Sequence, residues 1–211
     1  MAVPFTYISY ILLFLFYFVG VLCIGMGLKP DLVELSWFNL LATGLIVFLN
    51  RTEKGSKFLL FSGVVFLAGL LVEIIGVATG FPFGSYYYGN SLGWKIWEVP
   101  LVLGLNWWIL VYGSIHLAKV ITKHRLIQII LAPALMLGLD TLIEPLCETL
   151  DFWYWKNSVI PFENYVSWYI ISIILIGLYF SIYKASKINY MAVVAYVIQV
   201  LFFLLLNLFL D

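Results

Sequence analysis

Seven apolar stretches follow one another through the chain, at about 4–28, 34–50, 58–78, 97–121, 126–147, 165–183 and 189–210. A helix needs roughly 20 such residues to cross the hydrocarbon of a bilayer, and backbone without water must satisfy its own hydrogen bonds. The pattern therefore predicts an all-α integral membrane protein, a bundle of about seven transmembrane helices. We expect one polytopic domain, 1–211, because no repeat or low-complexity linker interrupts it; the second stretch is the shortest. Only 10% of residues are charged, against about a quarter in soluble domains. Eleven basic and eleven acidic residues cancel, so no global field attracts nucleic acid, which is excluded as a partner. The first stretch is too long for a signal-peptide core and has no small-residue cleavage site, so it is expected to stay as the first span. Cys23 and Cys147 lack metal-ligand spacing and read as small hydrophobes.

The connections set the orientation. Arg51, Lys54, Lys57, Lys119, Lys123, Arg125, Lys184 and Lys187 belong to alternate connections, leaving Lys29, Lys95 and Lys156 for the opposite side. Basic residues in short loops stay cytoplasmic, which places the N-terminus in the cytoplasm and the C-terminus outside, in the cell's inner membrane. The two long connections, 79–96 and 148–164, then face outward. Both are rich in Tyr and Trp.

The acids are not spread evenly through this frame. With a rise of about 1.5 Å per residue, Glu73 in the third stretch and Asp140 and Glu144 in the fifth all fall in the outer half, where Glu98 opens the fourth stretch. Asp140 and Glu144, one helical turn apart, share a face, and Glu148 extends it if the helix survives Pro145, a residue that kinks helices. An ionised carboxylate at the bilayer centre costs at least ~2.5 to 3.5 kcal/mol, so the neutral, protonated state is the cheaper one for a pair without a nearby cation. A neutral carboxylic acid in an apolar, aromatic-lined space is a proton donor. The alternative is that these acids only join helices by hydrogen bonds.

Other residues keep two readings. Asn106 and Trp107 serve either to position water or substrate or as interhelical contacts. Tyr86, Tyr87, Tyr88, Trp94, Trp97, Trp153, Tyr154 and Trp155 form either an interfacial belt or π-faces able to stabilise a carbocation. His116 and His124 are expected at the cytoplasmic interface. No metal site is readable.

Six pieces occur in an order that resembles a known family: ExxGxxTGFPFGSYYYG (Glu73 to Gly89), LGWKIWEVP (Leu92 to Pro100), LNW (Leu105 to Trp107), LDTLIEP (Leu139 to Pro145), FWYW (Phe152 to Trp155) and IPFENYVSW (Ile160 to Trp168). They are similar to the membrane carotenoid 1,2-hydratases, which include γ-carotene 1',2'-hydratase and bisanhydrobacterioruberin hydratase, and the likeness covers about residues 60–183. The family's acid before TG...FG matches Glu73, its Asp-x-x-x-Asp-Pro matches Asp140 to Pro145, its W-x-W matches Trp153 and Trp155, and its P-x-x-N-x-x-G-W matches Pro161, Asn164 and Trp168. Glu144 stands where Asp is expected, and Ser167 where Gly is expected.

The resemblance implies acid-initiated addition of water across the terminal C1=C2 bond of an acyclic carotenoid end, giving a tertiary alcohol. Its substrate is γ-carotene, lycopene or a related polyene, held among membrane lipid, and no organic cofactor is needed. In this reading Asp140, Glu144 and Glu73 are catalytic, while Tyr86, Tyr88, Trp97, Asn106, Trp107, Trp153, Trp155, Asn164 and Trp168 bind substrate. The rivals are a membrane lycopene cyclase, which quenches the same cation by ring closure, and a small proton-coupled transporter. A retinal pump needs a Schiff-base lysine in the last helix, and residues 189–210 contain none.

Overall fold

In a computed structural model, which describes residues 4–183 and 187–210 and leaves the side chain of Asn157 aside, seven α-helices pack around one of their number. They are α1 (Phe5–Gly20), α2 (Ser36–Leu49), α3 (Ser56–Thr79), α4 (Val102–Ile121), α5 (Arg125–Ile143), α6 (Phe162–Ile182) and α7 (Tyr190–Leu210). A π-helical turn, Val21–Gly25, extends α1, and a 3-10 turn, Pro30–Leu35, leads into α2. Lys184, one of the basic residues used for orientation, lies outside the described residues. Arg51, Lys54, Lys57, Lys119, Lys123, Arg125 and Lys187 sit at or beside one end of the bundle, hereafter the basic end.

Among the described residues, six segments are long and apolar enough to cross a membrane: Phe5–Gly25, Pro30–Leu49, Ser56–Thr79, Arg125–Leu146, Phe162–Ile182 and Tyr190–Leu210. The exception is α4, and its surroundings explain why. Thirteen of its 20 residues are buried, and α2, α3, α5, α6 and α7 all pack on it. A helix that faces protein on every side has no need of a lipid-facing apolar stripe. It is therefore free to carry Asn106, Trp107, Trp108, Tyr112, His116 and Lys119. The outer helices instead present Leu, Ile and Phe side chains outward, as along α1 at Ile8, Ile11, Phe14, Leu15 and Phe18.

The other end of the bundle carries a cap of four short strands. β1 (Tyr86–Tyr88) pairs antiparallel with β4 (Trp153–Trp155), and β2 (Lys95–Ile96) pairs with β3 (Val99–Pro100). These strands correct two expectations. The fourth helix does not begin at 97: Trp97 and Glu98 form the turn of the β2–β3 hairpin in left-handed conformations, φ 48° and 64°, which no helix can continue. Glu98 is exposed there and opens nothing. The fifth helix does not run through Pro145 with a kink. It stops at Ile143, and Glu144–Leu146 tighten into a 3-10 turn, because proline has no N–H for the helical ladder. Glu148 consequently leaves the Asp140/Glu144 face and is exposed.

Candidate active site

On one face of α3, Gly69, Glu73 and Gly76 follow each other at helical spacing. The two glycines make room for the acid's partners. A Cβ at Gly69 would lie 2.4 Å from the Trp107 ring, and one at Gly76 would lie 2.5 Å from the Tyr86 hydroxyl. Through these gaps Trp107 Nε1 donates to Glu73 Oε1 at 2.9 Å, while the hydroxyls of Tyr86 and Tyr88 each donate to Oε2 at 2.7 Å. Burial, and then the neighbouring Glu73 carboxylate, push both tyrosines up from their ordinary range, so they remain O–H donors.

The β1–β4 ladder sorts its aromatics into two sets. Its register pairs Tyr86 with Trp155, Tyr87 with Tyr154 and Tyr88 with Trp153, and side chains alternate between the faces of a strand. Tyr86, Tyr88, Trp153 and Trp155 therefore point inward, where each donates to a carboxylate. Tyr87 and Tyr154 stack on each other at 5.1 Å on the other face. A hydrogen bond to Asp151, then burial, push the Tyr154 hydroxyl up to about 12. Asp151 itself takes the Asn90 N–H at 2.8 Å and the Tyr154 hydroxyl at 2.8 Å, which ties the strand ends together.

Glu144 is the most heavily bonded of the acids. Its Oε2 accepts from Trp155 Nε1 at 2.8 Å, from Trp153 Nε1 at 3.3 Å and more weakly from the Cys147 thiol at 3.9 Å. Its Oε1 accepts from Asn164 Nδ2 at 3.0 Å. Burial, then Glu144, push the Cys147 thiol up to about 12, so it is a neutral donor rather than a thiolate. Asp140 is poorer in donors: Asn164 Nδ2 approaches its Oδ2 at 3.4 Å. All three acids are buried. Asn164, in the first turn of α6, bridges the Asp140/Glu144 pair. The unexpected Ser167 donates to the Pro82 carbonyl at 2.7 Å and so holds α6 to the turn after α3.

These groups border one cavity of about 410 Å³. Glu73, Asn106, Asp140, Glu144 and Asn164 contribute its polar wall at the capped end, with Tyr86, Tyr88, Trp153 and Trp155 above them. Trp107 and Trp168 also line it, stacked at 4.2 Å with their planes 8° apart. The rest is mainly apolar, from Leu103, Leu110, Leu139, Ile143 and residues of α1 and α2, with Ser36, Asn39 and Gln199 as its further polar side chains. Among the described residues no Lys, Arg or His lines it, and no group of His, Cys, Asp and Glu has the makings of a metal site. One expected substrate contact is missing: Trp97 is 72% exposed on the hairpin turn and does not border the cavity.

A fourth buried acid, away from this cavity, escaped the sequence reading. Glu53, in the connection between α2 and α3, accepts hydrogen bonds from the hydroxyls of Tyr112 and Tyr179 and from Thr52 at 2.8 Å. Burial pushes its carboxyl up, but these donors and His116 more than offset that and hold it below the usual range. His116 is not at the interface as expected. It is fully buried, with Nε2 3.7 Å from Glu53 and Nδ1 accepting the Asn189 N–H at 3.0 Å. The available signal was that Glu53 is an acid flanked by basic residues, with tyrosines at 112 and 179 on apolar helices.

A family model described as carotenoid biosynthesis protein matches residues 32–211. The chain belongs to this family. A curated relative, the bisanhydrobacterioruberin hydratase of Haloarcula japonica, is 26% identical over 105 residues, covering 46% of this chain and 36% of that protein. The chain thus matches about a third of that relative's length. No solved structure matches it. A role in carotenoid biosynthesis follows from the family, and the apolar helices make it a multi-pass membrane protein.

Proposed function

We propose that this carotenoid biosynthesis protein is a hydratase that adds water across the terminal C1=C2 bond of an acyclic polyene end. The observation that carries the reading is the inequality of the Asp140/Glu144 pair at an apolar cavity. Donors favour the charged form of a carboxyl. Glu144 has indole and amide donors on both oxygens, whereas Asp140 has one long contact. The proton shared by the pair therefore resides on Asp140, which is the general acid. It passes to C2 and leaves a tertiary cation at C1. Water then adds to C1, and the proton it sheds goes to the pair through Glu144, restoring Asp140. The stacked Trp107/Trp168 faces lie beside the cation. Glu73, saturated by Tyr86, Tyr88 and Trp107, positions that wall and adds negative charge.

In the membrane, the basic end lies in the cytoplasm, and α4 is a seventh span shielded from lipid by its neighbours. That arrangement puts the N-terminus inside and the C-terminus outside, and the whole chain acts as one domain in the cell's inner membrane. The substrate is lycopene, γ-carotene or a similar polyene. Expression in a lycopene-producing host tests the reading by product mass. Gain of one water with the polyene end still acyclic supports it, an isomeric ring product replaces it with cyclisation, and loss of the alcohol in Asp140→Asn ties the chemistry to the pair.

A further inference from the structure

The cavity has a side that the chemistry above leaves unused. Leu15 and Val19 of α1 and Leu35 and Phe38 of the 3-10 turn and α2 line it, yet all four are more than a third exposed on the outer surface of the bundle. A side chain that faces both a cavity and the exterior marks a mouth. This mouth opens sideways, between two segments that are each long and apolar enough to cross a membrane.

The packing on either side differs. α1 and its π turn rest on α7, where Gly20 and Gly25 let Phe202 and Leu206 approach to 2.9 Å and 3.0 Å of where a Cβ would be. α2 rests on α4, with Leu105 at 2.7 Å from such a position at Gly44. Toward the basic end the two helices are pinned by polar contacts, Tyr17 with Thr43 at 3.2 Å and Asn50 Nδ2 to Ser9 Oγ at 3.0 Å. Toward the cap they meet at an edge-to-face contact of Phe16 and Phe38, ring centroids 6.3 Å apart. Such a pair is a weak contact that is easily parted, and π turns within α-helices recur at functional sites.

We infer that the α1/α2 crevice is a lateral portal, with Phe16 and Phe38 as its leaves, through which one end of a long apolar chain enters from the bilayer while the remainder stays among lipid. The inference rests on the hydratase reading for the identity of the chain. The placement of the acids supports it: Glu73, Asp140 and Glu144 border the cavity at its capped end while the mouth lies between α1 and α2, so a chain entering there brings its end to them. The acids then meet the first carbons to arrive, which confines chemistry to the chain's terminus.

The test joins the leaves covalently. In a Cys23→Ala background, Phe16→Cys with Phe38→Cys is treated with a short bifunctional thiol reagent or with its monofunctional counterpart. Each sample is then mixed with lycopene-containing vesicles. Polyene retained by the protein is read from its visible absorption, and alcohol from chromatography. Bridging is expected to slow loading, and hydration with it, by roughly tenfold or more relative to the monofunctional control. Loading within twofold of that control overturns the portal. Loading that depends on the bridge without any alcohol from unmodified protein overturns the hydratase reading and leaves the portal standing. If the double variant does not fold, Leu15→Cys with Leu35→Cys bridges the same mouth, and the same outcomes decide.

Discussion

Two buried carboxylate clusters occupy opposite ends of this bundle, and they are built from similar parts. At the basic end Glu53 is surrounded by tyrosine hydroxyls, a histidine and Thr52, with Lys119 bonded to Tyr179 close by. At the capped end Glu73, Asp140 and Glu144 are surrounded by tyrosine hydroxyls and indole N–H groups, without a cation among the cavity's lining. The basic-end acid borders no part of the 410 Å³ cavity, whereas the three at the capped end all do. A lone acid with a full set of donors and compensating positive charge joins helices. A surplus of acids beside an open apolar space, with one short of donors, is what the proposed proton transfer requires.

The largest effect that can break this contrast is at Asp140. Asp140→Asn should lower hydration by at least about a hundredfold, the usual share of a general acid, with the melting temperature in detergent nearly unchanged. An active Asp140→Asn would make the capped cluster structural like the other. Glu53→Gln should do the reverse. Replacing one charged acceptor of buried hydroxyls costs about 1.5–3 kcal/mol for each hydrogen bond weakened, so thermal stability falls while the surviving protein keeps its turnover per molecule. Trp155→Phe removes the 2.8 Å donor to Glu144, and a charge-assisted bond worth at least about 1.4 kcal/mol corresponds to roughly tenfold in rate. Gly89→Ala would place a methyl 2.1 Å from Asp151 Oδ1, an overlap costing about 1–3 kcal/mol that is best followed by proteolysis of the cap. Smallest of all, Trp97→Ala on the exposed turn should leave activity intact and stability within about 0.5 kcal/mol.

Much of the capped cluster was legible in the sequence because its signals are local. Asp140 and Glu144 are a turn apart in an apolar run, and that spacing alone puts them on one face. The pairing of Tyr86–Tyr88 with Trp153–Trp155 spans more than sixty positions, so composition showed the aromatics but not which of them face the acids. Trp97 illustrates the limit: it sits among apolar residues as a helix start would, and only the hairpin's positive φ angles expel it. Glu53 was hidden for the same reason, since its partners Tyr112 and Tyr179 are 59 and 126 residues away. The end of α5 was a matter of one residue, where Pro145 halts the helix instead of bending it.

The three-residue strands of the cap have parity. Odd and even positions do opposite jobs, one set feeding protons' neighbours with donors and the other shielding the ladder with a stacked tyrosine pair. Inserting or deleting a single residue between Ser85 and Tyr88 would exchange the two sets and turn the donors to the outside. Changes in chain length should thus be tolerated here only in steps of two, or in the turn beyond Gly89, and a single-residue deletion scan across 85–92 would trace that rhythm directly.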